Sequence, residues 1–192
     1  MSASVPEQPV APRRRRTASA ISLALAVVMA GLVIVFAVAK KGERESAATP
    51  LMGQAAPEVK GTSLDGRPFD LSTRRGSWVA LNFFSVTCTP CVQEHPQLVQ
   101  FAAAQSARAN GAELVTVVAS GDQVAQVVDF LNKGGGSWPV VSDPYGRIAV
   151  AYGVAKVPET WIIDPNGVVR ARLITTVTAD GLSSEIAKLQ AA

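Results

Sequence analysis

Cys88 and Cys91 are the only cysteines of this 192-residue chain, and they stand in the string Cys88-Thr89-Pro90-Cys91. The apolar run Trp78-Val79-Ala80-Leu81-Asn82-Phe83-Phe84 before them reads as a buried strand, and the segment from Val92 onward reads as a helix. Two thiols at a strand-to-helix junction are arranged for dithiol–disulfide exchange. Cys88 then sits at the first helical turn, where free N–H groups and the helix dipole favour a thiolate and make it the nucleophile. Cys91, three residues on, is within reach to close a disulfide and acts as the resolving thiol.

Other chemistries fit these residues less well. A closed zinc site needs four ligands, and beyond the two cysteines the chain has a single histidine, His95. A purely structural bridge over so short a loop adds little stability, because the entropic benefit grows with loop length. A thiol peroxidase needs a Thr or Ser three residues before its reactive Cys and a Pro further upstream. Ser85 meets the first demand and nothing in that segment meets the second. A copper-delivery module needs a His distant from the Cys pair, whereas His95 lies on the same helix.

The N-terminal region predicts where this chemistry takes place. Residues 1–16 form a short basic tail, expected inside the cell, that ends in Arg13-Arg14-Arg15-Arg16. Residues 17–39 carry no charge, and at about 1.5 Å rise per residue they are long enough to span a bilayer core. Lys40, Lys41 and Arg44 follow, so the basic excess favours the N-terminus inside and the bulk of the chain outside, as a single-pass signal anchor in the cytoplasmic membrane. Ala37-Val38-Ala39 would also suit signal cleavage, but the apolar run is longer than a usual signal core, and an uncleaved anchor is the preferred reading. Residues 50–192 contain eleven Lys plus Arg and twelve Asp plus Glu. The basic charge thus belongs to the membrane flanks, and no basic patch points to nucleic acid. A domain exposed to an oxidising compartment keeps only its working thiols, since spare ones would mispair.

Residues 40–52 read as a polar linker, and 53–192 suffice for one domain with a single core. Within it the pattern predicts a hairpin about Asp65-Gly66 (strands near 57–59 and 66–71), a strand at 78–84, and a helix from Cys88 or Thr89 to about 109, kinked at Pro96. A buried strand at 113–119, a helix at 123–133 ended by Gly134-Gly135-Gly136, and a short helix at 145–152 follow. Strands at 160–163 and 168–174 flank the turn Asp164-Pro165-Asn166-Gly167, and an amphipathic helix at 179–189 closes the chain. In strand 168–174, Arg170 and Arg172 alternate with apolar residues, which predicts one wet face. The expected class is α/β: a thioredoxin fold with a central mixed sheet flanked by helices, an N-terminal β-hairpin and an inserted helix at 123–133, preceded by one transmembrane helix.

Residues 53–190 resemble the membrane-anchored thioredoxin-like proteins of the TlpA/ResA/CcmG (DsbE) type, extracytoplasmic thiol–disulfide oxidoreductases. The matches are Gly53-Gln54-Ala55-Ala56-Pro57, Leu81-Asn82-Phe83-Phe84, the Cys pair, Glu94-His95-Pro96, Tyr152-Gly153-Val154, and Val157-Pro158-Glu159-Thr160 with Ile163-Asp164 and Gly167. The resemblance implies a cis Pro158 facing the cysteines, with Thr89, Pro90, Val157 and Pro158 forming a groove for an extended substrate peptide. Asn82 stands where ordinary thioredoxins carry a buried, proton-moving Asp. Glu94 and Glu159 are the candidate replacements for proton transfer and pKa tuning. Thr87 replaces the Trp usual before the first Cys, and Phe84-Ser85-Val86-Thr87-Cys88 is also similar to the MauD type. The resemblance further implies no cofactor beyond the Cys pair. Expected partners are a disulfide-containing client, apocytochrome c during cytochrome c maturation among them, and a membrane electron donor. The motif serves either direction, and the resemblance favours reduction of clients over disulfide formation in secreted proteins. His95 reads either as a pKa-tuning neighbour of the cysteines or as a solvent-facing residue, and Trp78, Trp138 and Trp161 as core or groove wall.

Overall fold

The computed structural model describes residues 25–32 and 49–192. Residues 25–32 form one helix, α1, whose side chains are exposed. Most of the expected span 17–39, the tail 1–16 and most of the linker 40–52 lie outside the described residues. Among those described, no helix is long and apolar enough to cross a membrane. Leu51 and Met52, at the end of the expected linker, pack against the core of the domain.

A five-stranded sheet forms the centre. In chain order its strands are β3 (Val79–Phe84), β4 (Glu113–Val118), β5 (Val140–Ser142), β6 (Glu159–Ile163) and β7 (Val169–Ile174), arranged β5-β4-β3-β6-β7. The first two strands, β1 (Lys60–Thr62) and β2 (Pro68–Asp70), make a separate antiparallel hairpin. It pairs three residues later than the sequence suggested on its first strand, because Gly66, at φ +83, makes a tight turn that sets Thr62 opposite Pro68. The β3–β4 and β4–β5 pairs are parallel, and β3–β6 and β6–β7 are antiparallel. The helices are α2 (Thr89–Ser106), α3 (Val124–Gly134), α4 (Arg147–Tyr152) and α5 (Ala179–Gln190). Each element expected within 53–192 is therefore present, and β5 is an additional edge strand.

Every residue of β3 is buried, as a strand covered on both faces must be. Alternation along it divides the core. Val79, Leu81 and Phe83 join Tyr152, Trp161 and Ile163 on one face. Ala80 joins Leu98 and Phe101 of α2, Ile162 of β6, and Leu182 and Ile186 of α5 on the other. Each fully buried side chain of this size contributes about 1.5–3 kcal/mol. The face carrying α2 is thus distinct from the face carrying Trp161, and this separation decides the roles open to Glu94 and Glu159. Pro96 lies inside α2 without ending it.

Candidate active site

The C-terminal end of β3 delivers the cysteines. A turn follows the strand, closed by donation from Cys88 N–H to the Ser85 carbonyl at 3.2 Å. Cys88 is the N-cap of α2 in extended backbone, with φ −89° and ψ 105°. Pro90 falls in the first turn, where its missing N–H is no loss. Cys88 and Cys91 are joined by a disulfide with a Cα–Cα separation of 5.2 Å. The two sulfurs are unequal. Cys91 is fully buried, whereas Cys88 is partly exposed beside the exposed Thr89 and Pro90. Cys91 N–H points at Cys88 Sγ, 3.3 Å away, so a reduced Cys88 has a backbone donor aimed at it.

The Val157–Pro158 peptide bond is cis, and Pro158 is buried. The Val157 carbonyl oxygen lies 3.5 Å from Cys88 Sγ. In the disulfide this is a contact without a proton. In the dithiol the Cys88 thiol could donate to it. Cys88 and Val157, 69 residues apart in sequence, are therefore brought into contact.

Glu94 is on the buried side of α2, one turn after Cys91, and is 2 % exposed. Its Oε1 accepts from Val177 N–H at 2.5 Å, and its Oε2 accepts from Asn82 Nδ2 at 3.3 Å. Asn82 Nδ2 also donates to Thr160 Oγ1 at 3.1 Å, while Asn82 Oδ1 is buried with no hydrogen-bond partner. A buried carboxylate, a carboxamide and a hydroxyl thus form one polar cluster on the α2 side of the sheet.

Glu159 is placed elsewhere. It stands opposite Phe83 in the sheet and shares the face of Trp161, not that of α2. Arg172 grips it with Nε at 2.9 Å and a second nitrogen at 3.0 Å, and Trp161 Nε1 donates to it at 2.7 Å. Arg172 also lies over the Trp161 ring, 5.1 Å from its centroid. The expected wet face of β7 is therefore exposed at Arg170 and Ile174 but not at Arg172. Arg172 is drawn inward because a buried carboxylate requires a counterion.

His95 neither reaches the sulfurs nor points to solvent. It is buried among Phe84, Phe130 and Trp138, and its Nε2 lies 2.8 Å from the Gly135 carbonyl at the end of α3. A carbonyl only accepts, so Nε2 carries the proton. Burial pushes the imidazole pKa below its ordinary 6.5, and the Gly135 carbonyl opposes that shift. Among the tryptophans, Trp161 is core, and Trp138 and Trp78 line the α2 face.

One site neighbour escaped the sequence reading. Asp122, in the β4–α3 loop, accepts from Ser85 Oγ at 2.9 Å and from Val86 N–H at 3.0 Å. Its only sequence signal was position just past a strand parallel to β3, which places its loop beside the Cys88 turn. Among the described residues, no group of three or more His, Cys, Asp or Glu could hold a metal ion.

Comparison with known proteins agrees with this geometry. Residues 52–172 match the AhpC/TSA family. The chain is 30 % identical over 139 residues to the thiol-disulfide oxidoreductase ResA of Geobacillus thermodenitrificans, covering 72 % of this chain and 78 % of that one. Identity to ResA of Bacillus subtilis is 32 % over 127 residues, covering 66 % and 69 %. Among solved structures, one described as a thiol:disulfide interchange protein DsbE from Chlorobium tepidum superposes with a TM-score of 0.64 at 30 % identity, over 73 % of this chain and 96 % of that one. A secreted Mycobacterium tuberculosis disulfide oxidoreductase homologous to DsbE gives 0.59 at 25 % identity, over 68 % and 95 %. The disulfide at the head of α2, the mixed sheet that carries it and these relatives together establish that the chain belongs to the AhpC/TSA family, as a thioredoxin-fold thiol–disulfide oxidoreductase of the ResA/DsbE type.

Proposed function

We propose that this oxidoreductase works as a reductant of disulfides in partner proteins, apocytochrome c during cytochrome c maturation among them, from a single-pass anchor with its catalytic domain outside the cytoplasmic membrane. The observation that carries the direction is the Val157 carbonyl, 3.5 Å from Cys88 Sγ. A carbonyl lone pair facing the sulfur favours the protonated thiol and so opposes the thiolate-favouring Cys91 N–H on the same sulfur. The buried carboxylate of Glu94 acts in the same sense on Cys91. Strong dithiol oxidants owe their potential to a stabilised reduced form, and groups that disfavour the thiolate remove that stabilisation. The uncharged span 17–39 with its basic flanks supports the anchored placement.

In the reductive cycle, the Cys88 thiolate attacks one sulfur of the client disulfide, and the other client sulfur leaves as a thiolate and takes a proton. Cys91 passes its proton to Glu94 and attacks Cys88 Sγ. The mixed disulfide breaks, the client leaves with both thiols, and Cys88–Cys91 is oxidised. Two electrons from a membrane donor protein return the pair to the dithiol. The pair is itself the redox group, and the cycle calls for no further cofactor. Thr89, Pro90, Val157 and Pro158 border the groove in which an extended client segment lies.

The reduction potential of the full-length chain in defined thiol/disulfide buffers tests this reading. A value at or below about −230 mV supports the reductant. A value of about −120 to −180 mV would make it a disulfide-forming oxidase of secreted proteins.

A further inference from the structure

The turn that presents Cys88 is held from outside its own segment. Asp122 Oδ1 accepts from Ser85 Oγ, and Asp122 Oδ2 accepts from Val86 N–H. With both oxygens accepting, the group is bound as a carboxylate. Ser85 Oγ also accepts from Thr87 N–H at 3.2 Å and lies 2.9 Å from Thr87 Oγ1. Ser85 has one proton and gives it to Asp122, so in the second contact the Thr87 hydroxyl is the donor. The Thr87 N–H and hydroxyl and the Ser85 hydroxyl form one relay that ends on Asp122, with Val86 N–H bound to it directly. Ser85 is buried, and Asp122 is partly so. The next residue is Cys88, whose N–H closes the turn on the Ser85 carbonyl.

We propose that Asp122 is a positioning residue of the exchange reaction: through Ser85 and Val86 it fixes the turn that aims Cys88, and its fixed negative charge restrains formation of the Cys88 thiolate. The first effect is preorganisation of a nucleophile. The second follows from an anion tied to the residues immediately before the sulfur. Both effects come from the β4–α3 loop, where α3 begins. The inference rests on Cys88 being the attacking sulfur of the proposed cycle.

The test is the pH dependence of iodoacetamide alkylation of the reduced full-length chain, with the modified residue identified by mass spectrometry. Asp122→Asn keeps an acceptor for Val86 N–H and removes the charge. Its Cys88 inflection is expected to fall by about half a unit, a roughly threefold gain in thiolate below the inflection. Ser85→Ala keeps the carboxylate and cuts the relay to Thr87. Its inflection is expected to stay in place, while the alkylation rate of the thiolate changes severalfold. A structural brace alone would alter stability in these variants without separating inflection from rate. Wild-type inflections and rates in both folded variants would overturn the proposal. If Asp122→Asn does not fold, a wild-type rate in Ser85→Ala overturns it alone. Alkylation of Cys91 before Cys88 in the wild-type chain would instead sink the Cys88 assignment, and the proposal with it.

Discussion

Glu94 accepts a hydrogen bond from Asn82 across the interface between α2 and β3, Nδ2 to Oε2 at 3.3 Å, twelve residues apart in sequence. The amide sits on β3, and the carboxylate that it meets sits on the helix one turn beyond Cys91. The carboxylate stays on the same side of the sheet as the cysteines, with Val177 N–H closing its other oxygen. Glu159, adjacent to Pro158 in sequence, faces the opposite side and is tied to Arg172.

The unequal burial of the two sulfurs leads to a trapping result. Cys91→Ser should accumulate a mixed disulfide between Cys88 and a client, because the buried resolving sulfur is gone. Cys88→Ser should accumulate none. Non-reducing gels with mass spectrometric mapping read the adduct, and adducts confined to Cys91 would reverse the two roles.

Glu94→Gln removes the buried negative charge near Cys91 while keeping an acceptor for Val177 N–H. An anion near a thiol raises its pKa, so the Cys91 inflection should fall in this variant. Glu94→Ala leaves Val177 N–H buried without that acceptor and should cost about 1–3 kcal/mol of stability. Thiol titration and urea unfolding separate the two effects. An unchanged Cys91 inflection in Glu94→Gln would exclude Glu94 from pKa tuning.

His95 should make stability pH-dependent on the acid side. Its folded pKa is lowered from 6.5 by burial, so below 6.5 the unfolded chain binds the proton more readily. The stabilisation is whole above about 6.5 and is lost as pH falls from there through the folded value. The urea midpoint of the wild type should drop across that window, and the component due to His95 should vanish in His95→Phe. The same packing makes Gly134→Ala unfavourable, because a Cβ there would lie 2.8 Å from His95 Cδ2 and 2.9 Å from Nε2. A loss of about 1–3 kcal/mol is expected for such overpacking.

Arg172→Met strands the Glu159 carboxylate in the core with only the Trp161 donor among the contacts described above. Removing one partner of a buried pair costs about 3–5 kcal/mol. Arg172→Met combined with Glu159→Gln should recover much of that loss. Equilibrium unfolding of the singles and the double measures the coupling, and additive losses would mean that the pair contributes no specific interaction.

The sequence by itself determined what rests on local spacing. The cysteines three apart after a strand apolar but for Asn82 placed a disulfide at a helix N-cap, and the 3.6-residue and two-residue periods located the helices and the longer strands. The motif Val157-Pro158-Glu159-Thr160 was legible through resemblance, and the structure brings its first two residues to Cys88. Only the tertiary structure decided the rest. Val140–Ser142 is too short for a period to register, and it becomes β5 because β4 offers it a parallel edge. His95 reads as polar until Phe84, Phe130 and Trp138 enclose it. Arg172 reads as wet until antiparallel pairing of β6 and β7 sets it against Trp161, where it binds the buried Glu159 carboxylate. Asp122 reaches the Cys88 turn only because parallel pairing brings the ends of β3 and β4 together. In each case the deciding contact joins segments that chain-local periodicity cannot connect, so the face a side chain occupies is settled by strand pairing and packing and not by residue type.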